Sequence, residues 1–143
     1  MRSVRPPLLL STLLIVVASA CSSDASACTD LGEDEVAVLL GPAGENWKGD
    51  GPFTVTAAQR STVGGQNDFF TSVVYLQGDA AGAAGEVYVF ATAADDLTAP
   101  DAGLMGANPF TRERWAWGEV AQRGAPLEDA AREALADAPV CLP

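Results

Sequence analysis

The sequence predicts an α+β domain: an antiparallel meander of four to five strands with one or two C-terminal helices packed on one face. A small β-sandwich with a terminal helix is the alternative. Three observations carry this reading. Segments rich in β-branched and aromatic residues recur between residues 36 and 92. Several are joined by short glycine-bearing stretches, too short for the crossovers that parallel strands need. The last apolar pattern, after Pro126, repeats at helical spacing.

The elements follow in order. Val36 to Leu40 reads as a strand, entered through Glu33-Asp34-Glu35 and stopped by Gly41-Pro42. Asp30 and Glu33 have the spacing of a capping box, but the apolar run outweighs it. Gly41 to Pro52 is a turn-rich loop whose Trp47 is expected to fold back as a lid over the core. Phe53 to Ala57 alternates as a strand, and Gly64-Gly65-Gln66-Asn67 marks a turn. Phe69 to Gln77 is the strongest strand, with Phe69, Thr71, Val73 and Tyr75 on one face and Phe70, Val74 and Leu76 on the other. After a small-residue loop from Gly78 to Gly85, Glu86 to Thr92 sets Val87 and Val89 opposite Tyr88 and Phe90. Asp95 to Asp101 is a polar loop, and Gly103 to Gly106 a short fifth strand.

Asn108-Pro109 has the form of an N-cap followed by a first helical residue. It opens a short helix from Phe110 to Trp117, ended by Gly118, although Trp115 and Trp117 also fit a strand face. Pro126 opens the last helix, with Glu128 and Asp129 in its first turn and Glu128–Arg132 as a spaced ion pair. Leu127, Ala131, Ala134, Leu135 and Ala138 form its apolar stripe, and Pro139 ends it just before Cys141.

The N-terminus is of a different kind. Arg2 and Arg5 precede an apolar run from Leu8 to Ala20, about 13 residues long. That suits an export signal and falls short of the ~20 residues needed to span a bilayer. Ala18-Ser19-Ala20 then leads into Cys21 and the polar Ser22-Ser23-Asp24. This layout resembles the signal of bacterial lipoproteins, whose lipobox places an aliphatic residue and two small residues before a cysteine. Ala18 stands where that family usually carries Leu or Val. The resemblance spans roughly the first 24 residues and implies a diacylglyceryl group on the Cys21 thiol, cleavage just before it, and residence on the extracytoplasmic face of the cell membrane. Ala18-Ser19-Ala20 also satisfies the A-x-A pattern of ordinary signal cleavage, which would release a secreted protein.

The chain accordingly divides into a signal over 1–20, a lipidated cysteine and linker over 21–27, and one globular domain over 28–143. At about 3.5 Å per residue the linker reaches at most about 25 Å, which keeps the domain near the surface. Lipidation of Cys21 accounts for the odd count of three cysteines and leaves Cys28 and Cys141 as a pair. Cys21–Cys28 is the competing pair.

Composition narrows the chemistry. The chain has no histidine, which excludes Ser-His and Cys-His nucleophile pairs. Lys48 is the only lysine, and it lacks the S-x-x-K spacing of a Ser-Lys dyad. Neither glycine cluster has the lysine of a phosphate loop. Asp95, Asp96 and Asp101 read as solvated turn acids rather than a glycosidase pair, and the D-x-[DN]-x-[DN]-G pattern of a calcium loop is missing. No cofactor, no metal and no enzyme activity are expected.

Loss of Arg2 and Arg5 with the signal leaves six basic residues against 19 acids, a net charge of −13, which argues against nucleic acid as a partner. Trp47, Arg112, Arg114, Trp115 and Trp117 form a candidate binding surface for a peptide or an envelope protein. Against it stands a packing role: tryptophans filling the space between sheet and terminal helix, with the arginines solvated or paired to Glu113 and Glu119. The expected function is a non-enzymatic, membrane-tethered module that binds or supports another envelope component. The alternative is a small-ligand or peptide binder with its pocket under the Trp47 loop and residues 110–118.

Overall fold

The computed structural model describes residues 27–100, 102–116 and 125–142, with 125 and 126 described by backbone alone. The apolar N-terminal run, Cys21, Asp101 and Trp117 lie outside the described residues. The architecture is α+β: one open, five-stranded antiparallel sheet in the order β1-β2-β3-β4-β5, with helices on it. The strands are β1 (Cys28–Asp30), β2 (Thr54–Thr62), β3 (Ser72–Ala80), β4 (Ala83–Thr92) and β5 (Leu104–Gly106). The helices are α1 (Glu33–Leu40), α2 (Pro109–Arg114) and α3 (Ala125–Asp137). A single open sheet replaces the sandwich alternative.

The centre of the sheet is covered on both faces. In β3 the run from Val73 to Leu76 is almost wholly buried. Register fixes which side chains share a face: Cys28, Ser61, Val73, Ala91 and Met105 form one row across the sheet, and Arg60, Val74 and Phe90 belong to the opposite face. The first face meets α3 through Ala130, Ala131 and Ala134, with Leu127 and Leu135 beside them and Ala138 just past the helix end. The alanines let the helix approach the sheet closely, and the stripe follows the helical spacing of the sequence. On the second face Val74, Leu76, Tyr88 and Phe90 meet Leu39, Trp47, Leu97 and Trp115.

The first element departs from the expected strand at 36–40: residues 33–40 are helical. Glu33, Asp34 and Glu35 occupy the first turn, where the helix dipole favours acids. The Gly32 N–H donates to Glu35 Oε2 at 3.3 Å, satisfying one of the orphan donors of the helix start. A five-residue apolar run fits either period, and here Leu39 enters the core from a helix. Gly41 ends α1 at φ +75°, and a Cβ there would lie 2.7 Å from Asn46 Nδ2. That amide caps the helix by donating to the Leu39 carbonyl at 3.2 Å.

Other boundaries also shift. β2 runs on through Gln59, Arg60, Ser61 and Thr62, because β3 pairs with all four and β1 pairs with the first three. β3 begins at Ser72 rather than Phe69. Asn67 Oδ1 accepts from the N–H of Phe69 at 3.1 Å and of Phe70 at 2.9 Å, and this turn sends the two rings apart. Phe70 joins Val73 and Tyr75 instead of Val74 and Leu76, while Phe69 is left exposed. The expected 78–85 loop shrinks to Ala81-Gly82, with Gly82 at φ +77°.

Asn108 and Pro109 start α2 as predicted, the Asn108 side chain accepting from the Thr111 N–H at 2.8 Å. The helix stops at Arg114, because Trp115 is extended and bridges antiparallel to Trp47. In α3, Arg132 pairs with Asp129 at 2.6 Å rather than with Glu128.

Leu39 is fully buried and is the one residue by which α1 reaches the deep core. Leu39→Ala should cost about 2–5 kcal/mol, the usual range for a buried leucine. Urea unfolding followed by circular dichroism would show it as a lower midpoint with an unchanged slope.

Candidate functional site

Four of the five residues of the expected binding surface are described, and the two tryptophans among them are core. Trp115 is 0% exposed and Trp47 8%. Their ring centroids lie 5.2 Å apart, and Phe53 approaches Trp115 edge-on at 5.0 Å. Tyr88 and Phe90 complete the cluster around Trp115, each 5.7 Å away. Neither indole N–H has a hydrogen-bond partner, so both rings serve as apolar volume. The cluster fills the space in which a pocket under the Trp47 loop was expected. It lies on the sheet face opposite α3, not between the sheet and the terminal helix.

The arginines are also occupied. Arg112 Nη1 donates to the Gly106 carbonyl at 3.0 Å. Arg114 sits 5.0 Å above the Phe110 ring and 3.8 Å from Glu86 Oε2, so its acidic neighbour is on β4 rather than at Glu113. Phe110 stacks parallel on Tyr88 at 5.2 Å, and the Tyr88 hydroxyl donates to Glu86 Oε2 at 2.7 Å. This makes a continuous stack from guanidinium to phenol. Burial, reinforced by the Glu86 hydrogen bond and charge, pushes the Tyr88 phenol up to about 12.

A second constellation had no sequence signal. Arg60, on the α1 side of the sheet, donates to Glu35 Oε1 at 2.9 Å, and both side chains are mostly buried. The same oxygen accepts the Leu97 N–H at 3.1 Å, and Arg60 also donates to the Asp95 carbonyl. One ion pair thus ties α1, β2 and the 95–98 loop together. Removing either partner would leave the other charge partly buried and alone.

Above this pair, Glu33, Asp34, Glu35, Asp95, Asp96 and Thr98 line an open cleft of about 560 Å³. Thr98 donates to Asp96 through both its N–H, at 2.9 Å, and its hydroxyl, at 2.7 Å, which holds the carboxyl below its ordinary range. That favours the ionised form and is the opposite of what a general acid needs. Among the described residues, no three His, Cys, Asp or Glu side chains converge as metal ligands.

The remaining predicted pair comes together. Cys28 on β1 and Cys141 after α3 stand in a geometry that permits a disulfide, with Cα atoms 5.6 Å apart across a sequence separation of 113. The Tyr75 hydroxyl donates to the Pro139 carbonyl at 2.9 Å and seats the segment that carries Cys141. Burial raises the Tyr75 phenol, partly offset by the nearby Ser61 hydroxyl.

No protein-family model, curated protein or solved structure matches the chain.

Two outcomes follow. Both tyrosines titrate above the ordinary value of 10.0 in the folded protein, Tyr88 near 12. An unfolded phenol loses its proton first, so the stability from these groups is complete below pH 10 and is lost as pH rises toward 12. Phenolate absorbance should therefore lag that of the urea-unfolded chain, and the unfolding midpoint should fall over this window. Replacing both Cys28 and Cys141 by serine should cost about 2–5 kcal/mol, read as a lower melting temperature, if the two are bonded in the native protein. An unchanged melting temperature would exclude a structural bridge.

Proposed function

We propose that the mature protein is a lipoprotein of the bacterial envelope, held on the extracytoplasmic face of the membrane by diacylglyceryl on Cys21. Its domain is a non-enzymatic module that binds or supports another envelope component. One observation carries the reading: of three cysteines, Cys28 and Cys141 are brought into disulfide geometry, and the one left over follows an apolar export-type run. A bridge of this kind suits a compartment outside the cytoplasm. The left-over thiol stands where a lipobox cysteine stands.

Two further observations support the non-enzymatic part. The aromatic cluster is packed ring on ring, and the acidic cleft beside α1 offers a carboxylate biased toward the charged form. No helix among the described residues is long and apolar enough to cross a membrane. Attachment in this reading rests on the lipid at Cys21. Cleavage at Ala18-Ser19-Ala20 without acylation is the competing outcome, and it gives a secreted domain of the same fold.

Intact-mass measurement distinguishes the two. Protein extracted from membranes should begin at Cys21 and carry the added mass of acyl chains, and Cys21→Ser should abolish that mass. An unmodified chain beginning at Cys21, or full recovery from the medium, overturns the anchor.

A further inference from the structure

Among the described residues only two large apolar side chains are exposed: Phe69 at 48% and Val140 at 68%. Scattered apolar residues on a surface need no explanation. These two, however, sit toward the same end of the sheet. Thr62, Ser72, Thr92 and Leu104 line up across the strands there. Cys28 pairs with Ser61, one residue short of that end, so β1 begins there. Phe69 belongs to the β2–β3 connection, which turns at this end. Val140 precedes Cys141, whose sulfur meets that of Cys28, and the Gly64 N–H donates to the Asp137 carbonyl at 3.1 Å. The β3–β4 turn at Ala81-Gly82 marks the opposite end, about 30 Å away along a nine-residue strand.

We propose that the domain rests on the bilayer by its Cys28 end, with Phe69 and Val140 at headgroup level and the Ala81-Gly82 turn pointing away. This rests on the anchored reading above and adds an orientation and a contact surface to it. The partner is the lipid surface because only six residues lie between Cys21 and Cys28, so the seven steps between them reach at most about 25 Å. An end tethered that closely meets the surface before any other part of the domain does. Phe69 is presented rigidly, because Asn67 holds its N–H and also donates to the Ala130 carbonyl at 2.7 Å. Asp68, Asp129 and Glu133 line the shallow depression beside Phe69. Their charges oppose deep insertion and disfavour an anionic surface, so a zwitterionic bilayer is the fitting probe.

The test uses the full acylated chain, purified from membranes and reconstituted in phosphatidylcholine vesicles. A photoreactive benzophenone amino acid replaces Phe69, Val140 or, as the distal control, Ala81. After irradiation, mass spectrometry counts lipid adducts at each position. Adducts at 69 and 140 should exceed those at 81 by about tenfold, in keeping with contact at the interface. Equal yields at all three positions, on protein whose mass shows an acylated Cys21, overturn the orientation and leave the anchor standing. Absence of acyl mass on Cys21 overturns the anchor, and the orientation with it.

Discussion

The structure depends on the burial of β3 and β4 from both sides. Val73 to Leu76 and Tyr88 to Ala91 present apolar side chains to both faces of the sheet. A sheet with one apolar face needs a single cover; this one needs two. The chain supplies them from opposite ends, α3 from the C-terminus and α1 with the Trp47 loop from the N-terminal side. The segment holding Trp115 joins the second cover through its bridge to Trp47. The long connection from β1 to β2 and the early stop of α2 both serve that second face.

Legibility followed the reach of each interaction. β3 and β4 could be read because their patterns are local and strong, and the alanine-rich stripe of α3 shows in five residues alone. The stretch at 36–40 could not, since five apolar residues satisfy either period and the decision rests on Glu33-Asp34-Glu35 as helix-start acids and on Asn46 capping the end. β1 has no pattern of its own in Cys28-Thr29-Asp30. It is a strand because β2 offers it an edge. Phe70 changed faces because one asparagine turned the backbone.

The candidate site divides in the same way. Cys28 and Cys141 were legible by counting. In sequence Trp47 and Trp115 fit a binding surface as well as core filling, and the folded chain turns them on each other rather than outward. The Glu35–Arg60 pair was not legible, because 25 residues separate its members and neither stands in a motif. One local hint existed, an arginine in a strand whose face is covered; such a charge needs a buried partner.

Closure between Cys28 and Cys141 also changes what damage can do. With that bond formed, residues 28–141 make a covalent ring. A protease that nicks one exposed loop, such as the one around Gly51 or Asp96, opens the ring without separating any fragment. The noncovalent core can then hold the cut ends in place. Shedding part of the domain requires two cuts, or one cut and a reductant. Such a ring gives the domain a persistence against single cuts that thermodynamic stability alone does not supply.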